Sequence, residues 1–390
     1  MRSPPKVVHV VVSLDHGGLE KLVVNWTNAR NERFPESTRI CCLDRPGNLA
    51  EEVSGDAVLC VNADRSKSPM DISAVRRIRC CMLGLPGSIV HSHNLAAQQY
   101  SAAALCGTAV KHIHTEHGTN PHFGGLKNRL RTWLMMKMTD RVVAVSEDTA
   151  TALGKNQKIP RSKLLVIRNG VTPYKENNAH RSDELLGELG IDASSVVIGS
   201  IGRLAYVKGY DLLLAAFAKL CGESGSPTGR SSAVLLLVGD GPERTALEDK
   251  AKGLGVENQV VFAGYREDVA ELLNSMDLFV LTSRSEGLSI SLLEAMSAGV
   301  PVLVTDVGEN AEVLNGGECG VMLPADETAW PDLIAEQLRA VIGESKDEEE
   351  RVQRAKERVS AHYSQTATMD AYEREYLALV QSDSRLTINE

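Results

Sequence analysis

Two glutamates eight positions apart, Glu286 and Glu294, frame the stretch Glu286-Gly287-Leu288-Ser289-Ile290-Ser291-Leu292-Leu293-Glu294, in which an apolar helical period sets in after Ser289. The pattern predicts a helix that starts between them. A carboxylate just ahead of a helix suits a hydroxyl-rich ligand, and a second one roughly 12 Å further along, at about 1.5 Å per residue, suits another. Between the two lie the free backbone N–H groups of the helix start, a natural seat for phosphate. A sugar, a diphosphate and a ribose fit that ruler in turn, so the stretch reads as a nucleotide-sugar site.

A second constellation, Gly202-Arg203-Leu204-Ala205-Tyr206-Val207-Lys208-Gly209, falls between an apolar run and the helical pattern Tyr210 to Leu220. Two cations in a loop before a helix form a diphosphate clamp, Arg203 as a planar fork and Lys208 as a point charge. The competing reading makes both solvated loop residues. The two glutamates favour the clamp. Gly239-Asp240-Gly241-Pro242-Glu243-Arg244 begins like a dinucleotide fingerprint, but Arg244 stands where the third glycine belongs and no acid follows in the usual place, which argues against NAD. His112, His114, His117 and His122 cluster in sequence. His112 and His114 share a strand face and His117 lies past its end. Zinc needs three or four converging ligands, so these read as packed or solvated histidines.

Such residues need a scaffold, and 390 residues suggest two domains of ordinary size. β-Branched runs alternate with helical patterns throughout, the mark of parallel α/β layers. Strands are predicted near 6–13, 38–43, 57–61, 88–92, 110–115, 141–145 and 164–168, then near 195–201, 233–238, 259–263, 278–282, 301–304 and 319–323. Domains are expected over 1–172 and 186–364, with a polar linker at 173–185. Helix 366–382, with Met369, Tyr372, Tyr376, Leu377 and Val380 on one stripe, is expected to pack back on the first domain. A net charge of −9 and a pI near 5.7 argue against a general nucleic-acid binder. Eight cysteines without metal-ligand spacing read as reduced thiols. The run Val7 to Leu14 reads as a first strand rather than a signal peptide, and no run reaches the roughly 20 apolar residues of a transmembrane helix, so a cytoplasmic protein is expected.

Taken in order, Gly202-Arg203-Leu204 with Lys208 and Gly209, the run 238–243, Phe262-x-Gly264-Tyr265-x-x-Asp268-Val269, Glu286-x7-Glu294 and Ala298-Gly299-Val300-Pro301-Val302 resemble the retaining family 4 glycosyltransferases. The resemblance covers the second domain almost completely. It extends to the first through Gly17-Gly18-Leu19-Glu20, His91-Ser92-His93-Asn94, Val145-Ser146-Glu147 and Ile167-Arg168-Asn169-Gly170-Val171. It implies the glycosyltransferase B fold, an α/β architecture of two Rossmann-like domains facing across a cleft, with donor on the second domain and acceptor on the first. By position, Arg203 and Lys208 would hold the donor diphosphate, Glu294 the ribose, and Glu286 the transferred sugar. Backbone amides of Gly287, Leu288 and Ser289 would meet sugar and phosphates. The main chain at Gly264, Tyr265 and Arg266 would touch the base, and Gly17 and Gly18 would approach the phosphates closely. The family carries a histidine lining the cleft at about the place of His117, with Glu116 and Thr119 as lesser candidates. No metal or other cofactor is expected, and no Asp-x-Asp is present.

One departure is Glu309, after Val304-Thr305-Asp306-Val307-Gly308, where relatives commonly carry a second glycine. It puts sugar contacts from that loop in question, and Glu312 reads as a structural helix-start acid. The basic helix 125–138, with Lys127, Arg129, Arg131 and Lys137 around Leu126, Leu130, Trp133, Leu134 and Met138, has two readings: a core-facing helix, or a peripheral contact with an anionic membrane. The reading that results is a retaining, metal-independent hexosyltransferase using a nucleoside-diphosphate sugar and a glycan or lipid-linked acceptor. A same-fold epimerase or phosphorylase, or a non-catalytic glycan-binding relative, is the alternative.

Overall fold

The β-branched runs form two all-parallel sheets in the computed structural model, which describes the chain except residues 1–3, 16, 66–69, 86–87, 118–124, 173–180, 223–232, 325, 344 and 385–390. In the first sheet, β1 (Lys6–Val11), β2 (Thr38–Cys42), β3 (Val58–Cys60), β4 (Ser88–His93), β5 (Lys111–Glu116), β6 (Arg141–Ala144) and β7 (Leu164–Val166) lie in the order 3-2-1-4-5-6-7. In the second, β8 (Val196–Ile201), β9 (Ala233–Val238), β10 (Val260–Gly264), β11 (Leu278–Leu281), β12 (Val302–Thr305) and β13 (Val321–Leu323) lie in the order 10-9-8-11-12-13. Both are doubly wound, Rossmann-like sheets. Each winds outward in both directions from its first strand, so the switch of direction falls between β1 and β4 and between β8 and β11. Ligands in such sheets bind beyond the carboxyl ends at that point.

Helices α1 (Gly18–Arg33), α2 (Ile72–Leu83), α3 (Asn94–Leu105), α4 (Gly125–Lys137) and α5 (Glu147–Gln157) accompany the first sheet. Those of the second are α6 (Asp183–Glu188), α7 (Tyr210–Gly222), α8 (Arg244–Leu254), α9 (Val269–Asn274), α10 (Ile290–Ala298), α11 (Asn310–Val313), α12 (Trp330–Ile342) and α13 (Lys346–His362). The chain ends in α14 (Gln365–Ser384). The molecule divides into two compact units, residues 1–168 with 368–390, and residues 169–367. Of the polar segment 173–185, residues 173–180 lie outside the described residues, and Ser182 caps α6 by accepting from the Leu185 amide.

In the second unit β8, β9, β11 and β12 are buried on both faces. Leu235, Leu237 and Val280 pack under Leu213 and Phe217 of α7 and Ile334 and Leu338 of α12. In the first unit α14 closes the core: Tyr372, Tyr376 and Leu379 pack with Val7, Trp26, Ile89 and Ile113. Its buried stripe differs from the expected one, because Leu377 and Val380 are exposed and Leu379 is buried. Positions 372, 376 and 379 follow steps of four and three, and 377 and 380 fall about 100° away on a 3.6-residue helix. Arg30 of α1, itself buried, forms an ion pair with Glu373, and Arg33 reaches Asp370 at 2.9 Å.

Among the residues whose side chains are described, α4 meets the core through Thr132 and Met136 rather than through the expected Leu130–Leu134 stripe. Leu130 and Leu134 are 62% and 49% exposed, whereas Thr132 and Met136 are buried. Thr132 accepts from Gln99 at 3.1 Å, which turns the Leu130–Leu134 edge outward. No helix among the described residues is long and apolar enough to cross a membrane.

Candidate active site

The strand β8 ends at Ile201, and the chain then turns through Arg203 into a short helical turn, Tyr206–Lys208. Gly209 follows with φ +66°, and a Cβ there would come within 2.0 Å of the Thr282 carbonyl oxygen. Only glycine lets this loop lie against the end of β11. Arg284 fastens the contact. Its amide donates to the Val207 carbonyl at 2.7 Å, its guanidinium forks onto both carboxylate oxygens of Asp211 at 2.7 Å, and it stacks 4.3 Å from the Tyr206 ring. The Arg284 hydrogen bonds hold the Asp211 carboxyl below its ordinary range.

That staple places Lys208 Nζ 2.6 Å from Glu286 Oε1, across the switch point of the second sheet. Ser283 Oγ donates to the same oxygen at 2.6 Å. Both heads are largely shielded, the side chains being 20% and 9% exposed. Arg203 lies in the same loop but apart from this pair. It is exposed, with no salt bridge to a described residue. The two cations of this loop are therefore placed differently, Lys208 held by Glu286 and Arg203 open to solvent.

Glu286 precedes α10, whose N-cap is Ser289: its hydroxyl accepts from the Leu292 amide at 3.4 Å. No described residue accepts a hydrogen bond from the backbone N–H of Gly287, Leu288 or Ser289. These amides and the helix start leave positive partial charge beside Lys208. Glu294 lies in the second turn of α10, partly exposed. The loop after β12 supports this segment from behind. Gly308, at φ +58°, places its Cα where a Cβ would meet the Glu286 carbonyl oxygen at 2.6 Å, and the Glu309 amide donates to the Gly287 carbonyl at 3.1 Å. Glu309 is buried, so the departure noted in the sequence builds into the loop rather than projecting from it. Glu312 is tied to Arg358 at 3.3 Å, a structural pairing.

Beyond β10, the Gly264 carbonyl accepts from the Gly239 amide at 2.7 Å. Tyr265 is 36% exposed, and the Arg266 guanidinium is held bidentate by Asp268 at 2.8 and 2.5 Å, which fixes the backbone of this turn. In the first unit Gly17 is the N-cap of α1, where a Cβ would strike the Glu20 carboxylate, and Gly18 has open space at its Cβ position. His117 follows β5 and bonds His93 Nδ1 through Nε2 at 3.0 Å, and burial pushes its imidazole down to about 3. Glu116 is buried 3.6 Å from His114 Nε2. His122 and Thr119 lie outside the described residues.

Sequence reasoning missed Ser283, Arg284 and the buried histidines His9 and His93 as parts of a site. For Arg284 no local signal exists, because its partners Asp211 and Val207 are some 75 positions away. For the histidines the signal was a polar residue at alternate positions of otherwise apolar strands, as in Val8-His9-Val10 and His91-Ser92-His93.

This arrangement, two doubly wound sheets with a lysine, a glutamate and open amides at one switch point, agrees with what sequence comparison finds. Residues 16–174 match the family model described as Glycosyltransferase Family 4, and residues 182–358 match Glycosyl transferases group 1. The chain is 30% identical over 304 residues to an N-acetyl-alpha-D-glucosaminyl L-malate synthase of Bacillus anthracis, covering 76% of each protein. It is 27% identical over 350 residues to the putative glycosyltransferase EpsF of Bacillus subtilis, covering 87% of this chain and 89% of that one. Among solved structures, Anabaena HepE in complex with UDP and glucose superimposes with a TM-score of 0.78 at 19% identity, over 96% of this chain and 99% of HepE. A glycosyltransferase from Rickettsia africae gives the same TM-score over 97% and 99%. The chain belongs to the family 4 glycosyltransferases and has their two-domain glycosyltransferase B fold.

Proposed function

We propose that the enzyme is a retaining hexosyltransferase that takes its sugar from a nucleoside diphosphate and needs no metal to do so. One observation carries this reading: the Lys208–Glu286 pair at 2.6 Å beside the open amides of Gly287, Leu288 and Ser289. A diphosphate on these amides meets Lys208 on one side and Arg203 on the other. Glu294, two turns along, anchors the ribose, and the fixed main chain at Gly264, Tyr265 and Arg266 meets the base. Glu286 positions the sugar and orients Lys208. In the first unit, His117 is the residue that hydrogen-bonds toward the sugar, and Gly18 leaves room for close approach.

In the reaction the bond from the anomeric carbon to the phosphate oxygen breaks and its electron pair stays on that oxygen. The acceptor hydroxyl attacks from the same face and passes its proton to the departing phosphate. Lys208, Arg203 and the α10 amides stabilise the charge that develops there, which is the usual means of catalysis at such a centre. The relative solved with UDP and glucose supports a nucleotide-sugar donor. The absence of Asp-x-Asp supports a cation clamp made of side chains. A glycan or lipid-linked acceptor, as in polysaccharide synthesis, completes the reading, with the exposed Leu130–Leu134 edge of α4 resting on an anionic membrane.

A panel of UDP-, GDP- and ADP-sugars screened by thermal shift identifies the donor, because specific binding raises the melting temperature. With that donor, nucleoside diphosphate is expected to be released only when acceptor is present, with anomeric configuration retained and rates unchanged by EDTA. Release without acceptor, an inverted product, or loss of activity in EDTA each removes the corresponding element. Pelleting with anionic but not neutral liposomes tests the membrane contact.

A further inference from the structure

Five histidines of the first sheet are buried or nearly so at its carboxyl end, and three of them form a continuous line. His9 lies on β1, His93 at the end of β4, and His117 just past β5, on three adjacent strands. His9 Nδ1 bonds His93 Nε2 at 2.9 Å, and His93 Nδ1 bonds His117 Nε2 at 3.0 Å. The middle ring is confined. His91 packs against it with centroids 4.2 Å apart, and Trp26 lies 6.1 Å away. His91 itself stands outside the line, because Tyr376 Oη at 2.6 Å and Thr115 Oγ1 at 2.7 Å take its two ring nitrogens.

A neutral imidazole has one N–H donor and one acceptor nitrogen. In such a line the direction of one bond fixes the next: if His93 accepts at Nδ1 it must donate at Nε2, and His9 must then accept. The reverse direction is the only other arrangement, and the two differ at the far end by whether His117 Nδ1 carries the proton. Burial keeps the rings neutral, pushing His9 and His117 down to about 3 and holding His93 well below its ordinary value. An imidazolium donates at both nitrogens, so at His93 it would uncouple the direction of one link from that of the other.

We propose that His9 and His93 are positioning residues that act through His117: the three imidazoles form one tautomer-coupled chain, and His9 in the core sets whether His117 Nδ1 donates or accepts. This rests on the reading of His117 as the sugar-facing histidine. A hydroxyl-rich substrate distinguishes the two states, since a wrong tautomer turns a hydrogen bond into a repulsion between two donors or two acceptors. A metal ion is the rival occupant, because ring nitrogens of His9, His91 and His93 lie within 4.8 Å of one another. Such an ion would have to displace bonds that take both ring nitrogens of His93 and both of His91.

The test uses the full chain with 15N-labelled histidine, read by long-range proton–nitrogen spectra near neutral pH. His9, His93 and His117 are each expected in a single neutral tautomer of matching direction. In His9→Phe, His117 is expected to become a mixture of tautomers, with kcat lowered about tenfold, less than the ~10² that a misplaced group costs, and donor KM held within about twofold. His9→Asn, which returns one amide near the lost Nδ1, is expected to recover most of kcat. A tautomer mixture at His117 in the wild type, an unchanged His117 spectrum in His9→Phe, or a stoichiometric transition metal in the purified protein would overturn the chain. A changed spectrum with unchanged kcat would overturn its positioning role. Full activity in His117→Ala would instead remove the assignment of His117 on which that role rests, leaving the coupled chain standing.

Discussion

In the first unit, the carboxyl ends of β1, β4 and β5 are filled with His9, His91, Ser92, His93, His114 and Thr115, all buried and bonded to one another or to the tyrosines of α14. In the second unit, β9 and β11 are apolar to their ends, β8 and β12 carry one buried hydroxyl each, Ser200 and Thr305, and charged side chains begin only in the loops, with Lys208 and Glu286 partly open to solvent. The winding is the same. Strand order therefore fixes only where a site opens. Neutral groups can be stacked inside the sheet because each finds a partner. The charged pair Lys208–Glu286 stays at the rim, where desolvation is incomplete.

The largest consequence is in acid. Unfolded imidazoles take up a proton below about 6.5, whereas folded His9, His112 and His117 stay neutral down to about 3, and His91 and His93 are also held well below their ordinary range. Between those values the unfolded state binds more protons, so stability is full above about 6.5 and is lost as pH falls, by up to about 1.4 kcal/mol per pH unit for each histidine. The described residues of the second unit have one histidine, His362, and it is exposed. Acid titration followed by hydrogen exchange is expected to open the first unit before the second. Simultaneous opening would erase the contrast.

Next in size is the rim pair. Lys208→Ala is expected to lower kcat about 10²–10³-fold, roughly 2.7–4 kcal/mol, and to lower the melting temperature because Glu286 loses its cation. Arg203→Ala is expected to reduce turnover with no change in melting temperature, since no described residue pairs with it. Steady-state rates and calorimetry on both variants separate a held cation from an open one. Equal melting shifts would contradict that difference.

A smaller effect belongs to the inner network. Tyr376→Phe removes the hydroxyl that meets His91 at 2.6 Å and leaves a buried nitrogen without it, costing about 1–3 kcal/mol in urea unfolding. The smallest is Arg33→Ala, whose exposed partner Asp370 lies at 2.9 Å and which is expected to cost under about 1 kcal/mol. A loss from Arg33→Ala as large as that from Tyr376→Phe would mean that surface pairing, not the buried network, holds α14 in place.

Most of this architecture was legible because parallel strands buried on both faces write themselves as continuous apolar runs, as in Ala233–Val238. The loops that carry Arg203, Lys208, Glu286 and Glu294 were legible for a similar reason: these residues sit in short segments whose helix starts are encoded locally. What pairs with what was not. That Lys208 meets Glu286 depends on Arg284 reaching Asp211, and that Leu379 rather than Leu377 faces the core depends on which side of α14 meets Trp26. Both are settled by tertiary packing, to which a periodicity of 3.6 is blind by up to one residue.

The return of α14 to the first unit makes that unit discontinuous in the chain, and this sets an order of events during synthesis. Val7, Trp26, Ile89 and Ile113 leave the ribosome early, but their cover at Tyr372, Tyr376 and Leu379 is made last. While residues 169–367 are translated, a span of roughly 10–40 s at about 5–20 residues per second, the first sheet waits with that face unsealed. The second unit, whose residues are contiguous, completes its core first, and the nascent chain meanwhile offers a tryptophan-centred apolar surface to any chaperone that attends it.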